Sequence, residues 1–458
     1  MKIIEPIKMG WLKPFTDEYT ITLLRKVYML RIQLYFYSLI YTFSAVLYIP
    51  IFLYRTIIQD KRLANLFQRF SPPTVVTVPA SNNPILWIHA VSVGEVKAVE
   101  PLIRKLAPNS HKIFISTTTH TGQNFAQTMF SEQATIFYFP MDWQWLCRLY
   151  LERIKPSAVL LMETEIWPGF ISAAFSLGIP TLLINGRISD CSFRRYRRTR
   201  FFFTPLLKQI SHFCMQTPQD KERILELGVS PDRVNQMGNL KYDYQLNESE
   251  EKTAMVQQLR RILKPTVDDL LLICGSTREG EEKMLFQIFQ DLTEEFPSLR
   301  MLLAPRHPHR IEGISRLLKN YQFNHTLRSQ LVSEEISLPQ IVLLDSIGEL
   351  AYLYQLADVV FVGGSLVPTG GHNIIEAAYF AKPILFGPYM GNFREISSTF
   401  LESYASLQVQ SETELTPKIR DLLQDSRTRR WLGRNARKVV RDNQGAVERT
   451  AQIVQQYI

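Results

Sequence analysis

Residues 359–378 read VVFVGGSLVPTGGHNIIEAA, and this stretch decides the fold class. Val359–Val362 is a short apolar run, as expected of a strand buried on both faces. Two glycine pairs, Gly363-Gly364 and Gly370-Gly371, make the turn that follows, and Asn373 through Ala378 have the composition of a helix start. Strand, glycine turn and helix in succession are the repeating unit of a parallel sheet. Gly363 and Gly364 carry no Cβ, so their N–H groups are expected to approach a ligand closely. A helix beginning near Asn373 would add a positive dipole end suited to a phosphate. Glu376 in its first turn offers acceptors to a ribose diol. The alternative is a capping box, with Asn373 as N-cap and Glu376 three residues on.

Working outward, the same alternation fills most of the chain. Apolar runs recur at Ile85–Ala90, Lys112–Ser116, Thr135–Phe139, Ala158–Met162, Thr181–Asn185 and His212–Gln216. After VNQMGNLKYD (234–243) and the polar run NESEEKT, a second series begins: Leu270–Cys274, Arg300–Ala304, Ile341–Leu344, Val359–Val362 and Ile384–Phe386. The pattern predicts an α/β protein of two doubly wound domains joined near residue 250, and a length of 458 residues agrees with two cores. Ligands of such sheets sit beyond the carboxyl ends of the strands, so two facing domains would enclose a cleft between two such rims.

Before these domains lies an uncharged segment, IQLYFYSLIYTFSAVLYIPIFLY, from Ile32 to Tyr54. As a helix it would extend about 34 Å, enough to cross a bilayer, with Pro50 kinking one end. An uncleaved membrane anchor is expected, spanning the bilayer or lying on it; a buried core helix is the alternative. Flanking charge does not orient it: Lys13, Arg25, Lys26 and Arg31 on one side match Arg55, Lys61, Arg62 and Arg69 on the other. The boundaries drawn are 1–56 for the anchor region, 57–250 for the first domain and 251–458 for the second. A net charge of +9 favours anionic partners: phosphates, acidic lipids or nucleic acid. Cys147, Cys191, Cys214 and Cys274 are scattered, which argues against a disulfide framework or a zinc site.

Acidic and basic residues gather at the ends of predicted strands. Glu95 in HAVSVGE opens a helix whose dipole is expected to keep it ionised, and an ionised carboxylate can take a proton from a hydroxyl. Glu163 and Glu165 in METEIWP follow another strand directly. Arg306 in PRHPHR suits bidentate phosphate binding, whereas His307 and His309 between prolines make a poor metal site. The run RRYRRTR (194–200) followed by Phe201-Phe202-Phe203 suits an anionic membrane surface or lipid phosphates. Nucleic acid is the rival partner, but no nucleic-acid module is recognisable and none is expected.

In order, HAVSVGE, METEIWP, GNLKYD, GSTREGEE, PRHPHR and GGSLVPTGGHNIIEAA resemble the motifs of the 3-deoxy-D-manno-oct-2-ulosonic acid (Kdo) transferases of lipopolysaccharide synthesis. The resemblance runs from the anchor to the C-terminal helices. It implies the GT-B architecture of two Rossmann-like domains with an N-terminal membrane-anchor helix, and inverting transfer of Kdo from CMP-Kdo to a lipid A precursor. By similarity Glu95 is the general base, and Glu163 and Lys241 stabilise the transition state. Pro305 and Arg306 hold the CMP phosphate, Ile347, Gly348 and Glu349 line the cytidine pocket, and Asn373, Ile374, Ile375 and Glu376 close on the ribose. Arg278 stands where the family commonly has His, and Ala377 where Pro is common. No Asp-x-Asp pair is placed for a metal, so neither metal nor cofactor is expected. The implied location is the bacterial inner membrane, with the catalytic domains on the cytoplasmic side. Rival readings are another GT-B enzyme, a UDP-sugar transferase or epimerase, and a non-catalytic nucleotide-sugar-binding membrane protein.

Overall fold

The computed structural model describes residues 32–47, 67–73, 84–107, 112–331 (apart from 245, 247 and 248) and 338–458. They form two compact units. The first ends at Leu240 and includes Gly445–Ile458, and the second is Lys241–Gln444. The boundary thus falls ten residues earlier than the one drawn at 250. The chain end also belongs to the first unit, not to a domain of 251–458. Helix Ala446–Val454 packs on helix Val93–Leu106. Its Arg449 donates to the Met237 carbonyl at 2.6 and 3.0 Å.

The first unit carries a seven-stranded parallel sheet in the order β3-β2-β1-β4-β5-β6-β7. Its strands are β1 (Ile85–His89), β2 (Lys112–Thr117), β3 (Ala134–Tyr138), β4 (Ala158–Met162), β5 (Thr181–Gly186), β6 (His212–Met215) and β7 (Val234–Gln236). Side chains alternate between its faces as the pleat requires. Leu86 and Ile88 pack with Val99 and Leu102 on one face, and Trp87 with Phe137 and Phe170 on the other. Both faces are covered, so each buried aliphatic or aromatic side chain contributes about 1.5–3 kcal/mol by leaving water.

The second unit repeats the plan, in the order β10-β11-β9-β8-β12-β13-β14. Its strands are β8 (Leu270–Thr277), β9 (Leu299–Pro305), β10 (His325–Leu327), β11 (Ile341–Leu343), β12 (Val359–Val362), β13 (Ile384–Phe386) and β14 (Leu407–Gln408). In both sheets the chain starts near the middle, fills one side, then returns and fills the other. The reversal falls between β1 and β4 in the first sheet and between β8 and β12 in the second. Loops diverge at such switch points and leave a crevice at the strand ends.

Residues 32–47 are helical. One face rests on the first unit: Tyr37 stacks on Phe202, and Trp143 donates through Nε1 to Thr42 at 2.8 Å. The other face exposes Tyr35, Phe36, Leu39, Ile40, Phe43, Val46 and Leu47. No helix among the described residues is long and apolar enough to cross a membrane. The remainder of the expected anchor, 48–54 with Pro50, lies outside the described residues. Of the three phenylalanines after the arginine run, only Phe201 is exposed; Phe202 and Phe203 pack against the core.

Candidate active site

Glu95 and Glu163 meet at the switch point of the first sheet. Glu95 lies in the first turn of helix Val93–Leu106, just beyond β1. Its Oε2 accepts the Val91 N–H at 2.8 Å, and its Oε1 accepts the Ser92 hydroxyl at 3.2 Å. Glu163 follows β4, the strand paired with β1, in a left-handed conformation (φ 51°). Such a backbone conformation in a non-glycine residue has a cost and is characteristic of functional turns. Arg187, just past β5, holds Glu163 in a 2.8 Å ion pair.

Burial, and then the charge of Glu163, push the Glu95 pKa up to about 8, against the lowering effect of the Val91 and Ser92 hydrogen bonds. The expectation that the helix dipole keeps Glu95 ionised is therefore overturned, because desolvation and a second carboxylate outweigh a helix end. Glu165 is also raised, by burial first, although Trp167 donates to it at 2.8 Å. His89 is a core residue. Its ring stacks on Phe139 at 3.8 Å, and burial takes its pKa down to about 3, leaving it neutral.

The turn preceding Lys241 is held by amides at the ends of β5 and β6. Asn185 Oδ1 accepts the Leu240 N–H at 2.9 Å, and Asn239 donates to Gln216 at 3.0 Å. Lys241 opens the second unit, its Nζ 5.6 Å from the Phe393 ring centre.

In the second unit the glycine loop after β12 corrects the expectation placed on it. The buried Glu281 carboxylate accepts the N–H groups of Gly364 (2.7 Å), Ser365 (3.0 Å), Leu366 (3.0 Å) and Arg278 (2.8 Å). The N–H groups of Gly364, Ser365 and Leu366 are thus filled by an internal anion and are not open to a phosphate. Gly363 is required by packing: a Cβ there would lie 2.6 Å from the Thr277 Cα. The helix begins at Ile375, two residues past Asn373, and runs only to Tyr379. Asn373 Oδ1 accepts the Ile375 N–H at 3.1 Å. Glu376 makes no capping bond, and no hydrogen bond or ion pair among the described residues. Ile374 and Ile375 are fully buried in the core, so only their backbone can meet a ligand.

Pro305 ends β9, and the Arg306 N–H donates to the Thr277 carbonyl at 3.0 Å, which sets the exposed Arg306 beside the end of β8. Arg278 reaches across the same rim, donating through Nη1 to His307 Nε2 at 2.8 Å and through Nε to His372 Nε2 at 3.3 Å. Arg310 turns away into a bidentate pair with Glu282 at 2.6 and 3.1 Å. Ile347 is 86% exposed and Gly348 has φ +87°, whereas Glu349 is engaged by Arg328 at 3.1 Å and Ser346 at 2.7 Å.

Four residues that carry this geometry had no role from sequence: Arg278, Glu281, Arg187 and Asp142. Glu281 had a weak signal, an acid at the first helical position after a glycine turn. Arg187, which pairs with Glu163, and Asp142, whose buried carboxylate accepts the Gly169 and Phe170 N–H groups, had none, since these partners are remote in sequence.

Two doubly wound parallel-sheet units in succession make the GT-B architecture. Solved structures of that fold are similar to this chain: a glycosyltransferase from Rickettsia africae (TM-score 0.54, 14% identity, 82% of this chain and 99% of that one) and the UDP-GlcNAc 2-epimerase of Neisseria meningitidis (TM-score 0.51, 14% identity, 82% and 99%). The family model described as 3-deoxy-D-manno-octulosonic-acid transferase (kdotransferase) matches residues 64–244. The 3-deoxy-D-manno-octulosonic acid transferase of Haemophilus influenzae is 33% identical over 378 residues, 81% of this chain and 87% of that one. That of Rickettsia felis is 30% identical, covering 82% and 79%. The chain belongs to the Kdo transferase family, a family of glycosyltransferases acting in lipopolysaccharide synthesis.

Proposed function

We propose that this chain transfers Kdo from CMP-Kdo to a hydroxyl of a lipid A precursor with inversion, releasing CMP, at the cytoplasmic face of the bacterial inner membrane. The observation that carries the chemistry is Glu95, poised at about 8 beside Glu163 at the switch point of the first sheet. A base with a pKa near working pH balances availability against strength. The acceptor oxygen attacks the anomeric carbon as its bond to the phosphate breaks. The hydroxyl proton passes to the Glu95 carboxylate, and the electron pair of the broken bond leaves with CMP. Direct displacement with one carboxylate as base inverts the centre and needs no covalent intermediate.

As the donor's glycosidic bond breaks, negative charge grows on the phosphate and positive charge on the sugar ring. Arg306 serves the first, and fixed donors there lower the barrier. Glu163, held by Arg187, and Lys241 are assigned to the transition state. Ile347, Gly348 and Glu349 border the cytidine, and Asn373 through Glu376 border the ribose, where the unengaged Glu376 carboxylate suits a diol.

The helix of 32–47 supports a membrane role of the in-plane kind, since one face holds the protein while the other is apolar and exposed. Helix Asp190–Arg198 buries none of its side chains, and its arginines are exposed. The next helix, Arg200–Leu207, contacts the 32–47 helix through Phe202, which stacks on Tyr37. Turnover of CMP-Kdo with a lipid A precursor by the purified full chain tests the reading. CMP release without transfer to lipid, or no turnover, would overturn it.

A further inference from the structure

The first turn of the glycine loop after β12 offers no N–H to an anion, because Glu281 already fills those of Gly364, Ser365 and Leu366. With that turn filled, the rim's cationic side chains are what stand ready to meet a negative group on a ligand at this switch point. Three guanidinium groups stand on the rim, and one is spent: Arg310 forms its bidentate pair with Glu282. Arg278 and Arg306 remain, and among the described residues neither has an ion pair. Arg278 is half-buried, and its guanidinium donates to two imidazoles in place of a carboxylate. Each of those rings accepts at Nε2, so its proton sits on Nδ1.

His307 is kept neutral by burial and then by the charges of Arg278 and Arg306. A cationic rim assembled from three loops, after β8, β9 and β12, is costly without an anion and stabilised by one. The donor proposed above carries two anionic groups on adjacent positions, the phosphodiester and the C1 carboxylate of the ulosonic acid. Two arginines without an ion pair face two anions.

We propose that Arg278, oriented by His307 and His372, binds the sugar carboxylate of the donor, while Arg306 binds the phosphate. Arg278 is then a specificity-determining residue. It selects a nucleotide-linked ulosonic acid over a neutral sugar nucleotide, because a neutral sugar leaves the guanidinium unmatched. The inference rests on the donor reading above and deepens it.

The test separates the two anions by comparing CMP-Kdo, generated in situ, with CMP, which has the phosphate and no sugar carboxylate. Arg278→Ala is expected to raise KM for CMP-Kdo about 10- to 100-fold, as for a lost charge-assisted pair. Its kcat should change little, since the contact is made equally in ground and transition states. Its inhibition constant for CMP should move less than about threefold by the same reasoning, and retained CMP binding also certifies the fold. Arg278→Lys, which keeps the charge without the planar fork, should fall between. Equal losses for CMP and CMP-Kdo would reassign Arg278 to the phosphate and overturn the proposal, as would an unchanged KM. Failure of the wild-type chain to turn over CMP-Kdo would instead sink the donor reading, and that result is read before any variant is made.

Discussion

Tyr37, on the helix of residues 32–47, donates to Asp142 Oδ2 at 2.8 Å, and the same carboxylate accepts the N–H groups of Gly169 (3.0 Å) and Phe170 (2.7 Å). The apolar N-terminal helix is thereby tied to the start of helix Pro168–Ser176, directly after Glu163 and Glu165. Packing at the joint is tight, since a Cβ on Gly169 would lie 2.4 Å from the Asp142 carbonyl oxygen. Tyr37→Phe leaves a buried carboxylate one donor short and should cost about 1–3 kcal/mol. Melting curves read the loss, and amide exchange should speed up within 32–47. Unchanged exchange there would mean that Thr42, bonded by Trp143, and Tyr41, whose ring meets the Trp143 ring edge-on at 5.7 Å, hold the helix alone.

Only ionised Glu95 can accept a proton, and its pKa is raised to about 8. The transfer kcat/KM should therefore climb about tenfold per pH unit and level off above about 8. Removing the Glu163 charge with Glu163→Gln should slow turnover and also move the limb to lower pH, because that charge raises Glu95. Glu95→Gln should abolish the limb and cost about 10²–10⁴ in rate while CMP still binds. A limb that stays in place in Glu163→Gln would separate the two carboxylates.

The same shift has a consequence for stability. The folded pKa of Glu95 lies above the unfolded one of 4.5, so its contribution is full below 4.5 and lost as pH rises towards 8. Denaturation at fixed denaturant should show wild type losing stability over that window relative to Glu95→Gln, and parallel curves would contradict it.

Glu281 binds four N–H groups from two loops, so Glu281→Gln sets an amide NH₂ against backbone donors. A loss of about 2–3 kcal/mol is expected, with weaker CMP binding as the glycine loop carries Asn373 through Glu376 out of place. Calorimetry with CMP and a melting curve should move in step. Full CMP affinity in a destabilised variant would disconnect the loop from the donor site.

Glu376 makes no cap, so Glu376→Ala should leave the melting point near wild type, within about 0.5 kcal/mol, as for an unengaged partly exposed side chain. CMP affinity should nevertheless fall. Loss of stability with affinity intact would return Glu376 to a structural role.

Arg194, Arg195 and Arg198 are exposed on a helix with no buried residue. Each basic residue near an anionic surface is worth about 1 kcal/mol, and salt screens it. Reversing these three charges should slow transfer to a vesicle-embedded acceptor far more than to a detergent-dispersed one. Equal slowing would assign them to the acceptor's phosphates instead.

By itself the sequence determined the two α/β units and their central strands, because a parallel strand covered on both faces must be apolar along its length. Val359–Val362, all buried, is the plainest case. Three short strands escaped it, β7, β10 and β14, and all three lie at sheet edges. An edge strand pairs on one side only and stays partly exposed, as Leu407 and Gln408 do, so it needs no apolar run. Motif order put forward Glu95, Glu163, Arg306 and Glu376 as candidate site residues. What only tertiary structure decided is what each group touches: that Glu281 fills the glycine loop, that Glu163 lifts Glu95 towards neutral pH, that Tyr37 reaches Asp142, and that the last helix returns to the first unit. Those partners are up to hundreds of residues apart along the chain, and charge, burial and hydrogen bonding act through distance in space.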